Sequence, residues 1–146
     1  MKESDSIQME FPSTSSNESF ARAAAAAFTA RLDPTMEELG DVKTAVSEAV
    51  TNAIVHAYPD RIGKVMLRLR ILEGQTLEIT VRDWGCGMQN VEQAMQPLYT
   101  TGGDERSGMG FTIMDSFMDS LRVRSRPDKG TTVVMRRRIS PRGKRP

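Results

Sequence analysis

The chain has 146 residues with 20 Lys and Arg, 19 Asp and Glu and one His, which gives a formal net charge of +1. This length is usual for one domain with a single hydrophobic core, and no run of about 18 apolar residues is present to span a membrane. The polar N-terminus lacks the apolar stretch of a signal peptide, and the single cysteine, Cys86, excludes an internal disulfide framework. We therefore expect a cytoplasmic protein.

The charge is unevenly distributed along the chain. Residues 136–146 contain six basic residues and no acidic ones, so the rest of the chain has 14 basic against 19 acidic residues. We expect residues 139–146 to form a disordered basic tail behind a domain at residues 1–138. The tail has no aromatic residue that could stack on bases, so it does not by itself indicate nucleic-acid binding.

The N-terminal part predicts an edge strand followed by a helix. Residues 1–6 are expected to be frayed, and weak alternation of apolar residues predicts a strand over 7–12. Ser15 and Glu18 have the spacing of a capping box. A helix is therefore predicted to begin there and to run to about Arg31.

A second helix is predicted from its own start signal. Asp33 followed by Pro34 is typical of an N-cap with proline at the first helical position. Apolar residues then recur at helical spacing over 36–56, and Pro59 blocks any continuation.

The remaining elements are two hairpins that flank a long glycine-bearing segment. They are strands at 65–71 and 76–81, a helical piece at 91–95, a helix at 109–119 and strands at 121–125 and 131–136. This order predicts an α+β fold, a two-layer α/β sandwich with a mixed, largely antiparallel sheet and helices on one face. It argues against a doubly wound sheet, which requires regular alternation of strands and helices.

Three polar side chains recur at four-residue spacing late in the second helix. Glu48, Asn52 and His56 lie along one ribbon of the helix because each step of four residues turns it by about 400°. The amide oxygen of Asn52 is a hard ligand suited to Mg²⁺. A polar ribbon beside an apolar stripe is equally ordinary for a surface helix, so this motif alone leaves both interpretations open.

The strand that ends at Asp83 is followed by two glycines. The carboxylate can accept a hydrogen bond from an exocyclic amine such as that of adenine, while Gly85 and Gly87 allow the backbone to approach a flat ligand. A plain turn after a strand would have the same pattern.

A second glycine pair precedes the last predicted helix. Gly108 and Gly110 lie where free backbone N–H groups favour a bound anion such as a phosphate. The segment 100–106 contains two more glycines and is interpreted as a lid, although a mobile loop before a core helix is the alternative.

In this order the motifs resemble the N box and the two glycine boxes of the ATPase and kinase superfamily of gyrase, histidine kinases and MutL. The motifs are Glu48-x-x-x-Asn52, Asp83-x-Gly85-x-Gly87 and Gly108-x-Gly110. The sequences at 47–54, 97–101 and 106–114 are similar to those of the anti-sigma factor serine kinases, and those at 17–22, 32–35 and 117–119 to the sporulation members of that family. The resemblance covers about residues 11–135.

This resemblance implies a Bergerat-type ATP-binding fold and a set of roles. Glu48 would be the general base toward a serine of a partner protein, Asn52 would bind Mg²⁺, and Asp83 would recognise adenine together with Thr131. The other implied contacts to ATP or ADP are Gly85, Gly87, Thr101, Ser107, Gly108, Met109 and Gly110.

The resemblance also implies partners. They are a sigma factor, with sigma-F as the expected one, and an anti-anti-sigma factor with a STAS domain, which would be the phosphorylated substrate. Arg22 and Arg106 would contact these partners. A homodimer is expected, without a membrane or direct contact with nucleic acid.

One departure from the family pattern leaves alternatives open. The predicted lid reads Thr-Gly-Gly-Asp-Glu-Arg over 101–106 and lacks the lysine that the family carries after its threonine pair. A nucleotide-gated sigma-binding module with little kinase activity is therefore one alternative, and an anti-sigma kinase of a stress pathway of the sigma-B type is another.

Overall fold

The computed structural model describes residues 1–95 and 107–141. The strands are β1 (Glu3–Pro12), β2 (Lys64–Leu72), β3 (Thr76–Asp83), β4 (Ser120–Arg126) and β5 (Gly130–Arg138). The helices are α1 (Ser16–Thr29), which a 3₁₀ turn extends over Ala30–Leu32, α2 (Met36–Val55), the short α3 (Val91–Ala94) and α4 (Ser107–Phe117).

The five strands form one sheet in the order β1-β2-β3-β5-β4. All pairings among the described strands are antiparallel, so the expected mixed character is not found there, while the predicted two-layer sandwich is confirmed. Leu67 and Ile79 of the sheet belong to one apolar cluster with Val46 of α2 and Met114 of α4, and all four are fully buried. Since side chains alternate along a strand, one face of the sheet carries this core and the other is open.

The expectation that residues 1–6 are frayed is wrong. β1 begins at Glu3 and pairs with β2 along its whole length, with a register shift between Glu3 and Asp5. The backbone N–H of Glu73 also donates to the carbonyl of Lys2 at 2.8 Å. The polar composition of this segment suits an edge strand, where one side remains in water.

The predicted helix starts are close to the observed ones, but the capping residues differ. Ser15 makes no side-chain cap, and α1 begins at Ser16. Asp33 has a left-handed backbone with φ 53° instead of capping α2. The cap of α2 is Thr35, which forms a reciprocal capping box with Glu38.

The backbone beyond Arg138 continues in contact with the domain over the described residues. Ile139 is fully buried, and its N–H donates to the carbonyl of Gln75. The N–H of Ser140 donates to Glu38 Oε2 at 2.8 Å. The boundary at residue 138 stays a prediction, since residues 142–146 lie outside the described part. Among the described helices, none combines the length and apolar character that a membrane crossing requires.

Candidate functional site

A cavity of about 660 Å³ lies between α2, the loop after β3, α3 and the first residues of β5. This volume is within the usual range for small-molecule sites. Four of the residues predicted to bind nucleotide line it, namely Asn52, Asp83, Gly87 and Thr131. The apolar part of the wall includes Ala53, Val81, Ala94, Phe111 and Val133. The cavity therefore combines an apolar slot with a few polar side chains.

Asp83 is held in a single orientation at the end of β3. Its side chain is 6% exposed, and Oδ1 accepts hydrogen bonds from the N–H of Gly85 at 3.0 Å and of Thr131 at 3.2 Å. Burial raises the pKa of Asp83 above its ordinary value of 3.8, although these two N–H groups lower it. Because both bonds end on Oδ1, Oδ2 is the oxygen that remains for a donor in the cavity.

Close backbone packing explains two of the glycines around Asp83. A Cβ on Gly85 would lie 2.1 Å from the carbonyl oxygen of Ala57, at the end of α2. Gly87 has φ 69°, and a Cβ there would lie 1.9 Å from the carbonyl oxygen of Arg126. These contacts fix the loop after β3 against α2 and β4, so the two glycines shape the cavity floor.

The loop is also held by side chains that the sequence interpretation missed. Tyr58 Oη accepts the N–H of Trp84 at 2.7 Å and donates to the carbonyl of Lys64 at 2.6 Å. Ser125 Oγ accepts the N–H of Met88 at 2.8 Å. Both anchors come from distant parts of the chain, and no local pattern in the sequence marks them.

Ser125 also orders the beginning of β5. Its Oγ lies 2.7 Å from Thr131 Oγ1 and donates to the carbonyl of Gly130 at 3.0 Å. Thr131 pairs with Asp83 across the β3–β5 ladder. The hydroxyl of Thr131 and the carboxylate of Asp83 are therefore presented together at one end of the cavity.

The other end of the site is formed where α4 crosses α2. A Cβ on Gly110 would lie 3.2 Å from Asn52 Oδ1 and 3.5 Å from Glu48 Oε2. Glycine at this position allows the first turn of α4 to approach both polar side chains of α2. Glu48 and Asn52 are half-buried, which keeps them accessible to a ligand.

The second glycine pair differs from its prediction in one respect. α4 begins at Ser107, so Gly108, Met109 and Gly110 lie within its first turn and not in a loop before it. The first N–H groups of a helix have no partner within the helix, so this position still favours an anion. Met109 is 36% exposed.

The roles of the predicted site residues stay predictions, and the structure shows which of these residues lie close together. The cavity and the crossing of α2 and α4 bring together Glu48, Asn52, Asp83, Gly85, Gly87, Gly110 and Thr131. Thr101 and Arg106 lie outside the described residues, as does the predicted lid at 100–106.

Arg22, predicted to contact a partner, lies on α1 with 40% of its side chain exposed. Its Nη1 is 3.4 Å from Glu18 Oε2, which also accepts a hydrogen bond from Ser47 Oγ at 2.9 Å. Glu18 therefore links Arg22 of α1 to the helix turn that carries Glu48.

Further residues line the cavity without having been predicted. Asn90 caps α3 by accepting the N–H of Gln93 at 2.9 Å, and both side chains line the cavity. The Asn-x-x-Gln spacing is a start signal that could have found them. His56, the third residue of the ribbon with Glu48 and Asn52, lines the cavity as well.

Comparisons with known proteins agree with this geometry. Residues 11–137 match the family model described as a histidine kinase-like ATPase domain. The chain is 54% identical over 134 residues to a protein named anti-sigma F factor from Clostridium kluyveri, covering 91% of this chain and 94% of that protein. It is 56% identical over 135 residues to the anti-sigma F factor of Clostridium novyi, with coverage of 91% and 94%.

Solved structures show the same fold. The RsbU and RsbW domains of a Mycobacterium tuberculosis protein match with a TM-score of 0.70 and 17% identity, over 94% of this chain and 33% of that one. The mycobacterial sensor histidine kinase MprB matches with a TM-score of 0.60 and 16% identity, over 94% and 99%. The chain accordingly belongs to the anti-sigma F factor family of histidine kinase-like ATPase domains, and a domain of this kind binds ATP or ADP.

Proposed function

We propose that this protein is an anti-sigma factor that binds a sporulation sigma factor, sigma-F, and phosphorylates a serine of an anti-anti-sigma partner with ATP. We infer the kinase activity from the position of Gly110, whose close approach brings the first turn of α4 against both Glu48 and Asn52. A carboxylate at the phosphate end of a nucleotide cavity is not needed for binding alone. It is what a general base for an attacking hydroxyl requires.

The transfer step follows from this arrangement. Glu48 Oε2 accepts the proton of the partner's serine hydroxyl as the serine oxygen forms a bond to the γ-phosphorus of ATP. The bond between that phosphorus and the β–γ bridging oxygen breaks, and ADP leaves. Phosphoryl transfer depends mainly on positioning and charge neutralisation, so a base and a phosphate cradle form a sufficient set.

The residues present fit a magnesium ion at the phosphate end. Asn52 offers an amide oxygen, Oδ1, at the cavity wall, and Mg²⁺ commonly takes one or two protein oxygens together with phosphate oxygens and water. When bound, the ion would neutralise charge on the phosphates. Asn52 would hold it, while the backbone N–H groups in the first turn of α4 face the phosphate oxygens.

The adenine end is assigned to Asp83 and Thr131. Asp83 Oδ2 would accept the exocyclic amine of adenine, since Oδ1 already accepts two backbone N–H groups. The apolar walls from Ala53, Val81 and Phe111 would cover the faces of the base.

The partners follow from the names of the relatives. Anti-sigma F factors that are 54% and 56% identical to this chain support sigma-F as the bound sigma factor. Arg22, exposed on α1, would contact a partner directly. We propose that the protein works in the cytoplasm as a homodimer, which sedimentation would test.

The central experiment compares Glu48→Gln with Glu73→Gln. The protein is incubated with γ-labelled ATP, Mg²⁺ and the anti-anti-sigma protein of the same organism, and phosphoserine is measured together with ADP affinity. Glu48→Gln should bind ADP normally but lose most of the transfer, roughly 100-fold or more. Glu73 is exposed in the β2–β3 turn, so its variant should behave like the unmodified protein.

Each other outcome has a distinct meaning. Undiminished transfer by Glu48→Gln would remove Glu48 as the base. Binding of ATP and sigma-F without any phosphoserine, even for the unmodified protein, would favour the nucleotide-gated binding module. Stronger binding of a sigma-B type factor than of sigma-F would favour the stress pathway.

A further inference from the structure

The face of the sheet opposite the helices is strongly basic. On β2 through β5, the even-numbered residues point away from the core cluster, which contains Val65, Leu67 and Leu69 but neither Met66 nor Leu72. We call this surface the open face. Its basic side chains are Lys64, Arg68, Arg70, Arg82, Arg122, Arg124, Arg126, Arg136 and Arg138.

Only part of this positive charge is neutralised within the protein. Glu78 accepts hydrogen bonds from Arg70 Nε at 2.8 Å and from Arg136 Nε at 2.9 Å, and Glu3 lies 3.2 Å from Arg70 Nη1. Glu10 lies 3.9 Å from Lys64 Nζ. Within residues 1–95 and 107–141, six arginines of the open face have a guanidinium group without an acidic partner: Arg68, Arg82, Arg122, Arg124, Arg126 and Arg138, the last of which donates to the carbonyl of Gly74.

The centre of the open face also carries unsatisfied polar atoms. Thr80 is 4% exposed, and its Oγ1 is buried without a hydrogen-bond partner. Arg68 pairs with Thr80 across β2 and β3, and its Nε is likewise buried without a hydrogen-bond partner. A buried polar atom without a partner costs roughly 1–3 kcal/mol. A polar ligand bound on the open face could supply hydrogen-bond partners to these atoms.

Protection of a sheet edge explains only some of these charges. Basic residues on an edge strand prevent pairing with other chains, and this accounts for Arg122, Arg124 and Arg126 on β4. It does not account for Arg82 on β3 or Arg68 on β2, because both strands are flanked on either side. The charge therefore extends across the sheet, as a docking surface would require.

From this charge and its extent we propose that the open face docks a protein partner with a flat acidic surface, separately from the nucleotide cavity. A second copy of the chain fits poorly, because a symmetric contact would place arginines of one copy against arginines of the other. A nucleic-acid strand is less favoured, since Trp84 is the chain's only tryptophan and, within residues 1–95 and 107–141, the one aromatic side chain that contacts cations of this face.

Trp84 provides an intrinsic reporter for docking. Arg82 Cζ lies 4.6 Å and Lys64 Nζ 4.4 Å from the centroid of its ring. An acidic ligand that pairs with either cation would change the environment of the indole, so tryptophan emission should respond. Saturating ADP during the titration separates this response from any effect of nucleotide binding.

The probe is a fluorescent poly-glutamate peptide of about 20 residues, followed by anisotropy and by Trp84 emission. We expect binding that weakens as salt rises, and a loss of about 10-fold in affinity for Arg122→Glu combined with Arg124→Glu. The matched control combines Lys43→Glu with Arg61→Glu, two exposed cations outside the open face, and should change the affinity by less than about twofold. ADP affinity should be unchanged in both variants.

Three results would overturn the proposal. The first is equal peptide affinity for the open-face variant and the control variant. The second is tighter binding of a single-stranded oligonucleotide of matched charge than of the peptide, which would assign the face to nucleic acid. The third is loss of self-association in the open-face variant, measured by sedimentation, which would assign the face to a second copy.

Discussion

Replacing Gly110 by alanine tests whether the close approach of α4 to α2 controls phosphoryl transfer. The added Cβ would lie 3.2 Å from Asn52 Oδ1, 3.3 Å from Asn52 Nδ2 and 3.5 Å from Glu48 Oε2. The first two distances are tighter than ordinary contacts, so the Asn52 side chain must move by a few tenths of an ångström. The helix backbone is not harmed, because alanine is the better helix former by about 1 kcal/mol.

The size of the effect follows from this displacement. A misplacement of about 1 Å can lower a reaction rate by about 100-fold. On a logarithmic scale, a displacement of about 0.3 Å corresponds to about a fourfold loss, so we expect kcat to fall by roughly 3- to 10-fold. The free energy of unfolding should stay the same or rise by up to about 1 kcal/mol. Stability and activity are thus expected to change in opposite directions.

Gly40→Ala is the matched control. Gly40 also lies in a helix, α2, but a Cβ there would have no atom within 4 Å. Gly40→Ala should raise the free energy of unfolding by up to about 1 kcal/mol in urea unfolding, and Gly110→Ala by no more than that, while only Gly110→Ala should slow single-turnover transfer of label to the partner. An unchanged rate for Gly110→Ala would refute the inference that this contact positions Asn52 and Glu48. Equal slowing in Gly40→Ala would refute it as well.

Four further predictions concern Asp83, Gly130 and Glu78. Asp83→Asn should weaken ADP binding by about 10- to 100-fold in calorimetry, because its amide would present a donor to the adenine amine. Burial raises the pKa of Asp83, and only its ionised form accepts the adenine amine. In the unmodified protein, ADP affinity should therefore begin to fall on acidification at a pH above the ordinary pKa of an aspartate. An ADP affinity that does not change with pH would contradict this. Gly130→Ala should destabilise the fold by more than about 2 kcal/mol in urea unfolding, because Gly130 has φ 89° and a Cβ there would lie 2.1 Å from the carbonyl oxygen of Asp83. The control Gly74→Ala should cost about 1 kcal/mol, because Gly74 has φ 77° but a Cβ there would have no atom within 4 Å. Glu78→Gln should lower the free energy of unfolding by about 1–2 kcal/mol at neutral pH while Glu73→Gln leaves it unchanged. Burial raises the pKa of Glu78, but the hydrogen bonds from its two arginine partners lower this pKa by more than burial raises it. The stabilisation is therefore lost as the pH falls through the lowered pKa of Glu78 in the folded protein.

Much of the fold could be predicted because local signals agree with each other. The apolar period of α2 and its end before Pro59 are local properties, and the observed helix Met36–Val55 follows them closely. The hairpin turn at Glu73 and Gly74 is marked by residue type, and Gly74 does adopt a positive φ of 77°. The capping residues were less predictable, since Thr35 and Glu38 compete with other polar residues for the same role. The contact of Glu38 with Ser140, 102 residues away, helps decide that choice.

The candidate site shows the same division between local and distant information. The spacing of Glu48 and Asn52, and that of Asp83, Gly85 and Gly87, left both interpretations open when each motif was taken alone, and the order of the motifs with the second glycine pair resembled an ATP-binding family. Their mutual arrangement was not available from spacing, because Gly110 meets Asn52 only where α4 crosses α2. The anchors Tyr58 and Ser125 were missed for the same reason.

The sequence by itself therefore determined the residue types and spacing of the short motifs from which we propose a metal ligand, a base and a phosphate site. The tertiary structure alone decided which of these groups meet. The antiparallel register of β3 and β5 places the N–H of Thr131 on Asp83, 48 residues earlier in the chain. The alternation of strand side chains likewise gathers arginines from four strands on one open face, although they are scattered along the sequence. Register and packing are long-range properties of the folded chain, and a local pattern cannot specify them.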